Sequence, residues 1–160
     1  MPIKNIMVAV AGGAASIITA KYAIYLARVM STKLTAVYVV NEKLLQDLMR
    51  SRVVVDIEAR VYEKDLEEQG KLFLERIKKA AETKKIEFES TVLRGIVHEE
   101  IIKKAQETGT CLLVMGNPKE ITSRKEVFSD EGELLFREAK CPVVIVKNPE
   151  EVEKLYKEII

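Results

Sequence analysis

Few side chains in this sequence are of the kinds that make and break bonds, and their spacing limits what they can do. His98 is the only histidine. An imidazole serves as a general base where it reaches a nucleophile, but His98 opens a helical stretch beside Glu99 and Glu100, with no Ser, Cys or Asp around it in a nucleophile pattern. It reads as a solvated histidine. Cys111 and Cys141 are the only cysteines. Two cannot build a disulfide framework, and one histidine with no Cys-x-x-Cys leaves no zinc site. Gly12-Gly13 precede a helical stretch as a phosphate loop would, yet neither G-x-G-x-x-G nor Gly-Lys-Ser/Thr follows, so a plain strand-to-helix turn is expected. Lys119, Arg124 and Lys125, in a polar stretch from Asn117 to Phe128, could capture an anion by charge, but Glu120, Glu126 and Asp130 largely cancel them. A hydrolase finds no nucleophile and base at matching positions.

The elements that must position these residues follow from hydropathy patterning. Ile3 to Val10 is an apolar, β-branched run ending in Ala11-Gly12-Gly13, which predicts a strand and a tight turn. Ala14 to Met30 carries Ile17, Ile24 and Leu26 at helical spacing and stops at Ser31-Thr32. Leu34 to Val40 suits a strand buried on both faces. Asn41 to Lys85 reads as a short helical turn at Leu44 to Met49, a Val53-Val54-Val55 patch, and one long amphipathic helix over Glu58 to Lys84. That helix carries Val61, Leu66, Leu72, Leu74, Ile77 and Ala81 on its apolar side. Its lack of sustained heptads argues for a crossover helix packed on a sheet rather than a coiled coil.

Ile86 to Leu93 alternates as an edge strand does, and Val97 to Thr108 places Ile101, Ile102 and Ala105 on one side of a helix with acids first and lysines later. Cys111 to Met115 predicts a short buried strand closed by Gly116, with Asn117 to Phe128 as a loop and Glu131 to Lys140 as a helix. Pro142 then opens the strand Val143 to Val146, and Glu150 to Ile160 forms a last helix. Its Val152, Leu155, Tyr156, Ile159 and Ile160 could pack on their own domain or on another chain. Strands alternating with helices argue an α/β fold: an open, parallel, five-stranded, doubly wound sheet with a helix appended after the last strand. Ligands of such sheets bind beyond the carboxyl ends of the strands, where the strand order switches.

Composition sets outer bounds. The 160 residues suit one domain, assigned to 1–148, with 149–160 as a helical extension. At 48% hydrophobic and 32% charged residues the chain can bury a core and solvate its surface. The 26 Lys and Arg against 25 Asp and Glu disfavour nucleic acid as a partner. No apolar stretch reaches the ~20 residues of a membrane span, and the start lacks a signal-peptide pattern, so no membrane partner and a cytoplasmic location are expected.

Three segments in this order, KNIMVAVAGGAAS, VLRGIVHEEIIKKAQETGTCLLVMG and EAKCPVVIVK, resemble the universal stress protein family over almost the whole chain. The resemblance implies a Rossmann-like sheet related to adenine nucleotide alpha hydrolases, strand order 3-2-1-4-5, and a homodimer through the last strand, residues 142–147. A protein partner would fit such a module. ATP-binding members carry an acidic residue at the end of strand one and a loop of the form G-x-x-G-x9-G-S/T after strand four. Here the acidic position falls on Ala11, Gly116 is the first loop glycine, Lys119 and Ser129 replace the next two, and Asp130 stands at the hydroxyl position. Val39, Met115 and Gly116 match the adenine-side positions. Lost glycines close the backbone approach to phosphate, and a carboxylate at Asp130 would occupy the positive end of the next helix. The expectation is therefore a non-enzymatic regulatory module without a cofactor. The alternative is an ATP or AMP binder using magnesium, extending to a slow ATPase, with Lys119 or Arg124 on the phosphates. The implied topology also sets Cys111 and Cys141 at the starts of neighbouring parallel strands, within roughly 8 Å and reduced.

Overall fold

Five strands build one sheet in the computed structural model, which describes residues 3–52, 55–116 and 125–159. The strands are β1 (Asn5–Val10), β2 (Lys33–Asn41), β3 (Phe88–Gly95), β4 (Leu112–Gly116) and β5 (Val143–Val146). They are all parallel, in the order β3-β2-β1-β4-β5. The helices are α1 (Ala14–Val29), α2 (Glu42–Arg50), α3 (Asp56–Thr83), α4 (Val97–Glu107), α5 (Lys125–Glu138) and α6 (Pro149–Glu158). The expected α/β class, strand order and terminal helix are all present. Val53 and Val54 of the expected valine patch lie outside the described residues.

Alternation along each strand divides the core between the two faces of the sheet. Ile6, Val8 and Val10 of β1, with Leu34, Ala36, Tyr38 and Val40 of β2, pack under α1 and α3. Met7 and Ala9, with Val37, Leu113 and Met115, meet Ile101 of α4 and Leu135 of α5 on the opposite face. β1 is buried along its whole length because it has a strand on each side and helices on both faces. The edge strand β3 is far less buried, as its mixed sequence led us to expect.

The inward side of α3 differs from the expected one. Val61 is 57% exposed and Leu72 69%, whereas Leu66, Gly70, Phe73, Leu74, Ile77 and Ala81 face the sheet. The latter residues keep spacings of three, four or one along a single helical stripe, from which Val61 and Leu72 are rotated away. Gly70 marks a close approach. A Cβ added there would sit 2.5 Å from Cδ1 of Tyr38, so the helix crosses the tyrosine ring only because no side chain intervenes.

The last helix packs on its own domain. Val152 is 3% exposed, Lys21 of α1 pairs with Glu153, and the Lys21 and Lys84 ammonium groups lie 5.3 and 4.7 Å from the Tyr156 ring centre. Pro at its first turn suits the start of α6, and Asn148 takes the left-handed conformation just before it. Among the described residues no helix is long and apolar enough to cross a membrane.

Candidate functional site

The chain leaves β1 toward β2 and β3, then returns to β4 on the other side of β1, so the strand order reverses between β1 and β4. Beyond their carboxyl ends the helices diverge to opposite faces and leave a crevice, the place where open parallel sheets hold ligands. Ala11 to Gly13 form one lip of it, and Met115-Gly116 the other.

The first lip is shaped by two glycines at positive φ, 87° for Gly12 and 99° for Gly13, which turn the chain directly into α1. Ala11 is exposed and offers no carboxylate, and its backbone N–H donates to Ser16 Oγ at 2.9 Å. On the second lip Met115 is fully buried and Gly116 is buried opposite Val146. Val39, half-buried near the end of β2, packs in the same cluster as Met115. Ala11, Val39, Met115 and Gly116 thus come to one edge of the sheet.

Lys119 lies outside the described residues, as do Arg124 and the side chains of Ser129 and Asp130. The backbone does correct one expectation. The helix after the loop begins at Lys125, six residues earlier than the expected Glu131, so Ser129 and Asp130 fall in the second turn of α5 rather than at its start. Lys125 to Phe128 contain no glycine or proline to break the helix, and Phe128 is separated from Leu135 by seven residues. Asp130 is therefore not at the uncompensated first turn, where a carboxylate is best placed to stand in for phosphate.

His98 is the second correction. Its side chain is 12% exposed rather than solvated, and it is held by two carboxylates of α5. Nδ1 lies 2.7 Å from Glu131 Oε2, Nε2 lies 3.3 Å from Glu138 Oε2, and the backbone N–H of His98 donates to the same Glu131 oxygen at 2.9 Å. One carboxylate thus caps an orphan N–H in the first turn of α4 and orients an imidazole. Glu131 is 8% exposed on its side chain, since it occupies the inward position of α5 one turn before Leu135. A carboxylate that orients a histidine is half of a nucleophile-activating set, but here the second ring nitrogen also faces a carboxylate. The arrangement ties α4 to α5 beside the crevice.

The sequence reading missed Glu131. The signal was present as a charged residue at i, with Leu135 at i+4 and Glu138 at i+7, on the face where an apolar residue is expected.

Both cysteines are free, Cys111 exposed and Cys141 half-buried. Among the described residues no group of three or more His, Cys, Asp or Glu side chains is placed to hold a metal. A cleft of about 370 Å³ opens at the same edge of the sheet, between Ala14, Ala15 and Ile18 of α1 and the segment Val146 to Pro149. It flanks β5 and is distinct from the crevice between β1 and β4.

Against known proteins, the model of the universal stress protein family matches residues 2–147. Universal stress protein MJ0531 of Methanocaldococcus jannaschii is 27% identical over 146 residues, covering 91% of this chain and 83% of that protein. The structure of universal stress protein UspA from Lactobacillus plantarum superposes with a TM-score of 0.75 at 17% identity, over 92% of this chain and 99% of its own. A universal stress protein crystallised in complex with cAMP superposes at 0.66 and 17% identity, over 92% and 99%.

Proposed function

Because this chain belongs to the universal stress protein family, we propose that it acts as a dimeric, non-enzymatic regulatory module of that family and does not retain ATP. The observation that carries this reading is the first lip of the crevice. At the switch point of the sheet, where a ribose would need a carboxylate, the chain presents Ala11, and the Ala11 N–H is already engaged by Ser16. Two loop positions suited to glycine hold Lys119 and Ser129. A hydrogen bond between a ligand and a charged or backbone group contributes ~1–3 kcal/mol, so three lost contacts weaken micromolar binding to millimolar or worse. Calorimetric titration with ATP and magnesium should show no binding tighter than about 100 μM. A low-micromolar isotherm overturns the reading.

A second reading, adenine-nucleotide binding through a remodelled loop, is favoured by the similar protein crystallised with cAMP. It assigns Lys119 or Arg124 to the phosphates, with magnesium. Under it, Lys119→Ala or Arg124→Ala weakens the isotherm.

The dimer would form through residues 142–147. Among the described residues the outer edge of β5 pairs with no strand, and Val143, Val144 and Ile145 are only half-buried. A flat apolar edge of this kind needs a cover. Leu113 N–H donates to Pro142 O, so with Leu113 opposite Val143 the backbone groups of Val143 and Ile145 point away from β4. Ile145→Pro therefore removes an outward donor while sparing the β4 ladder. Light scattering at micromolar concentration should report a dimer for the natural chain and a monomer for Ile145→Pro, and a monomeric natural chain refutes the pairing.

A further inference from the structure

Cys111 and Cys141 are thirty positions apart in sequence, yet the sheet brings them together. Cys111 lies at a bend one residue before β4, where its N–H donates to Asn5 O at 2.9 Å and its sulfur lies 3.6 Å from Gly109 O. Leu113 and Met115 face the α4 and α5 side of the sheet. Cys141 packs in the same cluster with Val143 and Ile145. The bond from Leu113 N–H to Pro142 O, at 3.0 Å, carries the β4–β5 ladder below Val143. Leu113 lies opposite Val143, and Cys111 and Cys141 each stand two residues before that pair, near enough for Cys111 to act on the Cys141 thiol. Neighbouring strands lie ~4.8 Å apart, inside the roughly 4.4–6.8 Å between Cα atoms that a disulfide spans.

We propose that Cys111 and Cys141 form a reversible redox-modification site, free as thiols and joined into an intramolecular disulfide by a peroxide. Exposed Cys111 is the attacking residue and half-buried Cys141 the resolving one. The Cys111 thiolate attacks a peroxide oxygen, the O–O bond breaks, and Cys111 becomes a sulfenic acid as the first water departs. Cys141 sulfur then attacks Cys111 sulfur, the S–O bond breaks, and the hydroxide leaves with the Cys141 proton as the second water. Two thiols and one hydrogen peroxide thus give one disulfide and two waters.

The division of roles suits the surroundings of each sulfur. Burial pushes the Cys141 thiol up, the neighbouring Cys111 adds to this, and the Leu113 N–H partly opposes it. A sulfur held as a thiol is a poor first attacker, but it needs only one short approach to resolve a sulfenic acid beside it. The bond closes a loop from 111 to 141 that contains β4, Gly116, the 117–124 segment and α5. Oxidation would therefore tether one wall of the crevice at the opposite edge of the sheet, whether or not a nucleotide binds there.

The test uses the full chain, reduced and then treated with a few molar equivalents of hydrogen peroxide. Intact mass should fall by about 2 Da, and both thiols should disappear together. The denatured protein should still run as a monomer without reductant, and dithiothreitol should restore the starting mass. In Cys141→Ser the reaction should stop at a sulfenic acid on Cys111, trapped by dimedone after a gain of about 16 Da. The natural chain decides the matter even if that variant does not fold. A mass gain of whole oxygens, a covalent dimer, or two surviving thiols under this treatment overturns the proposal.

Discussion

Replacing Glu131 by alanine should destabilise the protein well beyond the effect of an ordinary surface substitution. The carboxylate accepts from the His98 backbone N–H at 2.9 Å and faces Nδ1 at 2.7 Å, with only 8% of its side chain exposed. Each hydrogen bond to a charged group is worth about 1.5 kcal/mol at the low end, suited to a site near solvent, and the carboxylate at the start of α4 adds about 0.5 kcal/mol through the helix dipole. The sum is about 3.5 kcal/mol, a large share of the ~5–15 kcal/mol that holds a typical domain together. For a chain of this size each 1 kcal/mol moves Tm by roughly 2–4 °C, so Glu131→Ala should melt roughly 7–14 °C lower. Glu131→Gln keeps one acceptor oxygen and should lose about half as much. Urea denaturation of Glu131→Ala, His98→Ala and the double variant separates the side-chain contact from the cap, because His98→Ala retains the backbone N–H. The expected coupling is ~1–2 kcal/mol. A loss below about 1 kcal/mol for Glu131→Ala, or a coupling near zero, would show that water replaces this carboxylate at no cost.

Two further outcomes follow from contacts elsewhere. Gly70→Ala should destabilise by about 1–2 kcal/mol despite alanine's better helix propensity, because its Cβ meets the Tyr38 ring at 2.5 Å. In a Tyr38→Ala background the same change should turn neutral or stabilising, and an unchanged penalty there would rule out the ring as its cause. Glu153 is held below its usual 4.5 first by the hydrogen bond from Lys21, which burial opposes as the next largest effect, with the Lys21 and Lys157 charges adding to the lowering. The lowered carboxyl stabilises the fold above about pH 4.5 and loses that contribution as pH falls through its folded value, an effect under about 1 kcal/mol at this exposure. Urea melts at about pH 6 and about pH 3.5 should show a smaller acid loss in Lys21→Met than in the natural chain. Equal losses would remove the pair from the account.

The strands and most helices were legible because their signals are local. Runs such as Leu34 to Val40 and Val143 to Val146 are continuous and β-branched, and a parallel sheet covered on both faces calls for that pattern. The strand order came through the resemblance, since periodicity says nothing about which strands are neighbours. Pairings that require a third dimension were not legible. Glu131 looked like one more surface acid on a charged helix, and only α4 arriving opposite it makes its burial tolerable. Nothing in the sequence of α3 shows what Gly70 accommodates, because the ring belongs to a strand thirty-two positions earlier. In α3 the many apolar residues offer more than one stripe, and only contact with β2 and β3 selects the one through Phe73 and Ile77. At the crevice Ala11, Met115 and Gly116 lie at one edge of the sheet, whereas α5 starts earlier than the polar stretch to Phe128 suggests, because Lys125 to Phe128 hold no glycine or proline to stop the helix.

The central position of β1 also constrains the order in which the chain can be finished during synthesis. Its partner β2 follows within about thirty residues, but the strand on its other side, β4, begins only at Leu112. At ~5–20 residues per second a ribosome needs roughly 5–20 s to supply that strand. Through this interval the nascent β1–β2–β3 half carries an uncovered edge at its most apolar strand, Ile6 to Val10, and on one face no α5 to seal it. Nascent chains are prone to wrong pairings at edges of this kind. Slowed translation between β3 and β4 would therefore burden chaperones more than a pause anywhere after Val146, even though the finished domain leaves no trace of the hazard.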